Sequence, residues 1–258
     1  MTTSLRPFWR YYGGKWRAAP RYPAPRYGTI VEPFAGAAGY SLRYADRRVV
    51  LIERDPLVAE TWRWLIGASP DDVRSIPLTE DARDLPSWVP PGARTLIVLL
   101  LSEASASGPR GQQAQSKRVA KGAANGEAIR GGGEAMRERV ASQVDAIKHW
   151  TLIEGDYRDA PNVEATWFVD PPYDNRAGRA YRYHAIDYAA LGVWCRTRRG
   201  QTIACENEGA TWLPFRPLYS VTTRMNGAKG EGGRTSTEAI WQSYCGIRNE
   251  EHDACKTN

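Results

Sequence analysis

Short runs of aliphatic and β-branched residues alternate along this chain with stretches whose apolar positions recur every three or four residues. Residues 29–32 and 49–53 are near-continuous apolar runs and predict buried strands. Small residues follow the first run and predict a tight turn that opens a helix through Tyr44. Residues 57–66 predict a helix with Trp62 and Leu65 on its apolar face. The longest apolar run, 96–101, is strand-sized and predicts a third strand. Residues 167–170 predict a fourth, ending at a double proline, and 201–206 a fifth. Between them Asp187 is placed to cap a helix running to about Arg198. Residues 218–224 and 239–246 predict a closing strand pair joined by a long loop. Strands alternating with helices predict an α/β fold: a doubly wound, Rossmann-like sheet, mostly parallel, with an antiparallel C-terminal pair at its edge.

Two stretches break the alternation. Residues 102–133 are rich in Gly, Ala, Ser and Gln, show no helical or strand period, and predict a flexible loop. A helical spacing resumes at 135–150 through Met136, Val140, Val144 and Ile147. Residues 226–237 carry Gly227, Gly230, Gly232 and Gly233 beside Lys229 and Arg234, and predict a second loop.

Composition narrows the class. With 258 residues, the chain suits one large domain or one domain with an insert. An apolar fraction of 42% and a charged fraction of 25% exclude collagenous and disordered chains. No run approaches the 18 apolar residues or so of a membrane span, and the N-terminus lacks the apolar stretch of a signal peptide, so a cytoplasmic protein is expected. The four cysteines, Cys195, Cys205, Cys245 and Cys255, form no CxxC pair, and three histidines accompany them; free thiols and no metal are expected.

A net charge of +6 favours a polyanionic partner. Residues 1–27 hold six basic side chains and no acidic one, interleaved with aromatics from Phe8 to Tyr27. That combination suits phosphate attraction and base stacking, or a solvated basic face anchored by aromatics.

Asp170-Pro171-Pro172-Tyr173 follows an apolar strand, at the edge where α/β sheets place ligands. Such a tetrad suits methyl transfer to a ring-conjugated amine, whose delocalised lone pair makes it a poor nucleophile. A carboxylate on Asp170 and the carbonyl of Pro171 accept the two N–H groups and stabilise the charge that forms. The prolines fix the backbone, and Tyr173 offers a flat face to a base drawn out of its stack. A second element runs from Glu32 through Pro33 and Phe34 to Gly36 and Gly39, small residues that let a cofactor approach the backbone. About 20 residues further, at the end of the next strand, Glu53 stands where an acid bonds ribose hydroxyls. Tyr11-Tyr12-Gly13-Gly14-Lys15 forms a third, an anion-binding bend without P-loop spacing. Behind the tetrad, Arg176, Arg179, Arg182 and Tyr183 offer cations and a stacking face, as does Arg234 in the late loop.

In this order, the three elements resemble the Dam-like class of adenine-specific DNA methyltransferases, including its phage-type members. The resemblance implies S-adenosylmethionine as methyl donor and DNA as partner, with transfer to the 6-amino group of adenine. It implies cofactor contacts from Tyr11, Gly14, Lys15, Glu32, Phe34, Gly36, Glu53, Asp156 and Asp170, with Asp156 near the cofactor's adenine. Catalysis falls to Asp170, Pro171, Pro172 and Tyr173. Residues 1–66 and 150–248 would form the methyltransferase core, and 67–149 an insert in the target-recognition position, with 249–258 a tail. The family's recognition signature is not recognisable in that insert, so RNA stays open as the polymer, as does the cytosine 4-amino group as the target. A nucleic-acid-binding protein with a vestigial cofactor site is the alternative from another class. A monomer or weak dimer, with no membrane and no metal, completes the expectation.

Overall fold

The computed structural model describes residues 4–9, 11, 13–77, 79, 84–101, 126–176, 178–223, 234–245 and 256–257. Its strands are β1 (Thr29–Glu32), β2 (Arg48–Glu53), β3 (Thr151–Glu154), β4 (Ala165–Val169), β5 (Gly200–Asn207), β6 (Arg216–Thr223), β7 (Arg234–Cys245) and β8 (Lys256–Thr257). They join in the order 3-2-1-4-5-7-6, with the two-residue β8 paired to β7. β1 to β5 run parallel, and β7 enters antiparallel between β5 and β6. This is the α/β, Rossmann-like sheet with an antiparallel C-terminal pair that the sequence predicts. The chain leaves β1 for β2 on one side and later returns to place β4 on the other. That reversal opens a crevice above the carboxyl ends of β1 and β4.

Alternate strand residues supply the two faces. Ile30, Val49, Leu51 and Phe168 join one buried cluster; Val31, Val50, Ile52 and Trp167 join the other. α1 (Pro56–Gly67) covers the first face through Val58, Trp62 and Leu65, and α5 (Tyr188–Arg196) covers the second through Leu191 and Cys195. Of the N-terminal aromatics, Phe8, Trp9 and Tyr22 are buried in the first cluster. Phe8 packs edge-on against Trp62 at 5.8 Å, and Trp9 lies 5.0 Å from the same ring. The arginines between the aromatics, Arg6, Arg17, Arg21 and Arg26, are exposed.

Four predicted elements differ. Residues 96–101 are not a strand but the end of α3 (Pro91–Leu101). Leu96 and Leu99 pack on the main cluster, whereas Ala93 and Ile97 pack on Ile76, Leu85 and Val89. A helix buried on two sides reads as a continuous apolar run. The third parallel strand is instead β3, an edge strand with no fully buried residue, which carries no strong apolar signal. The helix resuming after the mid-chain loop is α4 (Gly126–Ala141), and it begins inside 102–133. Glycines at 131–133 disfavour a helix by about 1 kcal/mol each, yet extending a helix already packed through Val140 and Ala141 costs less than starting one. That helix stops at Ala141, and a separate 3-10 turn spans Val144–Ile147. The small-residue turn opens no α-helix either: a 3-10 segment, Ser41–Tyr44, follows it. Residues 102–125 and 226–233 of the two predicted loops lie outside the described residues, and the last residues of the second, 234–237, are strand: their pairing with β6 starts β7 five residues before the predicted 239.

With α2 (Pro70–Ser75), the helices α3 and α4 fill the interval between α1 and β3. Among the described residues, no helix is long and apolar enough to cross a membrane. Nor, among them, does any group of His, Cys, Asp and Glu stand where it could hold a metal ion. Cys195 and Cys205 are buried free thiols.

Candidate active site

β1 ends by delivering Glu32 into the interior. Its Oε1 accepts the Ser41 amide at 2.7 Å, which ties the strand to the far end of the small-residue turn. Burial pushes its pKa up to about 8, against the Ser41 bonds that favour the charged form. Within the turn, Gly36 adopts a left-handed φ of 47°. A Cβ there would meet the Tyr11 ring at 2.8 Å, so the close approach of that ring requires glycine. The Gly36 carbonyl accepts the Trp62 indole N–H at 2.7 Å, which fixes the turn on α1.

β2 ends at Glu53. Its carboxylate accepts the Gly36 amide at 2.9 Å and the Asp55 amide at 2.8 Å. Burial raises its pKa to about 7, and those amide bonds oppose the rise. Asp55 then caps α1, accepting the Leu57 amide at 3.1 Å. After β3, Asp156 accepts Arg158 Nε at 2.7 Å and lies 3.5 Å from Arg54 Nη1. Phe34 stacks on Tyr157 with centroids 5.5 Å apart. Carboxylates therefore gather at the ends of three adjacent parallel strands.

β4 ends at Asp170, beside Lys15 of the N-terminal segment, whose Nζ lies 2.9 Å from Oδ1. Burial raises the Asp170 pKa to about 6, and the Lys15 charge opposes that rise. Burial works against the ammonium of Lys15, but Asp170 and Glu238 outweigh it and hold its pKa above the ordinary value. The same Nζ donates to the Gly13 carbonyl at 3.1 Å and lies 4.7 Å from the Tyr173 ring centroid. The Pro172 carbonyl accepts the Tyr188 hydroxyl at 2.6 Å, which anchors the tetrad to α5. Behind it, buried Glu206 of β5 accepts the Asp174 amide at 3.2 Å and the Trp212 indole at 3.0 Å.

Two adjoining clefts open over these strand ends. The first holds about 840 Å³ of empty space, part of it open solvent. All nine predicted cofactor residues line it: Tyr11, Gly14, Lys15, Glu32, Phe34, Gly36, Glu53, Asp156 and Asp170. The second, about 1040 Å³ on the same measure, is lined by Asp170, Pro171 and Tyr173, with Asn175, Asn207 and Glu238 facing them. Asp170, Lys15 and Tyr11 belong to both.

The predicted nucleic-acid residues scatter. Arg182 and Tyr183 line the first cleft, where Arg182 lies 3.5 Å from Asp55 and Tyr183 sits within cation–π distance of both Arg54 and Arg182. Arg176 and Arg179 are exposed and line neither cleft. Arg234 opens β7. Sequence reasoning missed Glu238 and Tyr219, which line the second cleft beside Arg17 of the basic N-terminal segment. Only the antiparallel insertion of β7 brings Glu238 to the tetrad, and no local motif announces that. Compared with known proteins, the chain matches no family model and no curated protein.

Proposed function

We propose that this protein transfers the methyl group of S-adenosylmethionine to the 6-amino group of adenine in DNA. The observation that carries this reading is the position of Asp170, at the end of a central parallel strand where two clefts meet. One cleft can then hold the methyl donor and the other the base, with a single carboxylate between them.

The donor set of the first cleft suits S-adenosylmethionine. Glu53 and Asp156 are acceptors for ribose and amine hydrogens, and the Phe34–Tyr157 pair offers aromatic surface. Glu32, Glu53, Asp55, Asp156 and Asp170 line this cleft against Lys15, Arg54 and Arg182, an excess of acidic side chains that suits a sulfonium ligand. When bound, S-adenosylmethionine supplies an electrophilic methyl group and leaves as a neutral thioether.

The chain's own residues do the rest. Asp170 accepts one N–H of the target amine, and the Pro171 carbonyl accepts the other. The Tyr188 bond to Pro172 keeps the backbone in place for that contact. As the nitrogen lone pair forms the new bond to carbon, positive charge gathers on the nitrogen. The Asp170 carboxylate stabilises that charge and takes the proton the nitrogen sheds. Tyr173 gives the base a ring to lie against. Exposed Arg17, at the second cleft, and the basic segment behind the tetrad supply phosphate contacts. Residues 1–66 and 150–248 form the catalytic core in this reading, and 67–149 the insert that meets the target.

The test offers methyl-labelled S-adenosylmethionine with unmethylated duplex DNA, single-stranded DNA and RNA, followed by nucleoside identification. Label in N6-methyldeoxyadenosine supports the reading. Label in a cytosine or an RNA nucleoside changes the substrate. Cofactor binding without transfer to any polymer favours a binding protein.

A further inference from the structure

Glu238, in the middle of β7, makes three contacts with one carboxylate. Its Oε1 accepts the Tyr22 hydroxyl at 2.6 Å and the Tyr173 hydroxyl, and it lies 3.7 Å from Lys15 Nζ. Lys15 therefore stands between two carboxylates, 2.9 Å from Asp170 and 3.7 Å from Glu238. The motifs at the tetrad and the small-residue turn do not include Glu238, and no role in methyl transfer follows from its place in sequence.

We propose that Glu238 is a positioning residue: it fixes the plane of the Tyr173 ring through its hydroxyl and, from behind the Lys15 they share, makes Asp170 a readier acceptor for the proton the amine sheds. The proposal rests on the reading of Asp170 as the acceptor of the target amine. A tyrosine held only at its Cα end can swing about χ1 and χ2; a hydrogen bond at the far end removes that freedom. A second negative charge beside the shared lysine favours protonation of Asp170, so Asp170 is a stronger base for the proton the amine sheds.

Both groups are surrounded by others that titrate or carry charge. Lys15, Tyr22, Tyr173, Tyr219 and Cys205 interact with Glu238 from the N-terminal segment, the tetrad loop, β6 and β5. Lys15, Glu238 and Glu206 act on Asp170. The negative charge of Glu238 raises the Asp170 pKa, so removing it must move the Asp170 titration to lower pH.

The experiment compares the full chain with Glu238→Gln, Tyr173→Phe and the double variant. Three quantities are read: cofactor affinity by equilibrium dialysis, single-turnover methylation of unmethylated plasmid DNA against pH, and the Asp170 carboxyl titration by carbon-13 NMR. Asp170→Asn assigns that signal. For Glu238→Gln we expect cofactor affinity within about twofold, a rate lower by roughly tenfold or more, and an Asp170 midpoint at lower pH. The double variant should lose less than the two single losses multiplied together, because both changes break the same Tyr173–Glu238 bond. An unchanged Asp170 midpoint, or Glu238→Gln with the parent rate, overturns the proposal. A rate loss matched by equal loss of cofactor affinity and thermal stability overturns it too, since that marks a purely structural acid. If the unsubstituted protein methylates no polymer, the reading of Asp170 falls first; an active protein with an unmoved midpoint defeats this inference alone.

Discussion

Three carboxyl groups of the first cleft carry raised pKa values, and their contacts divide them by role. Glu32 is bonded to the backbone of its own turn, Glu53 to the next turn, and Asp170 to a lysine. The folded protein holds a proton on Glu32 up to about pH 8, whereas its ordinary value is 4.5. A proton bound in the folded state and released in the unfolded one makes stability fall as pH rises between those values. Glu53 adds the same sign between 4.5 and about 7. Glu32→Gln should therefore flatten the decline in Tm from about pH 5 to 8, measured by thermal unfolding at a series of pH values. At Glu53 the expected consequence is functional. Glu53→Gln keeps the shape but replaces one of the two oxygens that accept the Gly36 and Asp55 amides, and with it an acceptor for the proposed ribose contact. Cofactor affinity should weaken by about tenfold, or about 1.4 kcal/mol, in equilibrium dialysis. The residues of both clefts that follow strands were legible in the sequence, because the ends of parallel strands are where ligands sit. Glu238 was not, because its neighbours come from four separate segments.

At the scale of elements, legibility followed burial. Strands β1, β2, β4 and β5 are interior, so their apolar runs stand out, and α1 shows a clear apolar stripe. α3 reads as a strand because it is buried on two sides, and β3 gives no signal because it is half-exposed at an edge. Periodicity cannot separate such cases, and only the pairing of Leu51 with Leu152 and Ile52 with Ile153 does so. Capping signals were more dependable. Asp187 accepts the Ala190 amide at 2.9 Å and starts α5 where the sequence placed it. Asp187→Ala should cost about 1 kcal/mol, read as a lower denaturant midpoint with unchanged slope. A loss near zero would show that the packing of Leu191 and Cys195, not the cap, starts the helix.

At the scale of the molecule, the sheet order places β1 and β4 side by side after a long excursion of the chain. α1 to α4 lie between β2 and β3 in sequence. The clefts thus collect residues from Tyr11 to Glu238, and the antiparallel β7 closes the second cleft opposite the tetrad. The doubly wound class follows from alternation alone, whereas the insertion of β7 between β5 and β6 is a property of the closed sheet. The N-terminal segment serves both ends of this arrangement: Phe8, Trp9 and Tyr22 join the core, and Lys15 reaches Asp170. The central claim, that Asp170 directs methyl transfer to the adenine amino group in DNA, is tested most directly in a host that lacks adenine methylation. The intact protein and Asp170→Asn are expressed at equal levels, genomic DNA is digested, and N6-methyldeoxyadenosine is measured by mass spectrometry. The modified nucleoside should appear with the intact protein and fall to background with Asp170→Asn. Its absence with the intact protein, or equal amounts with both, would contradict the account.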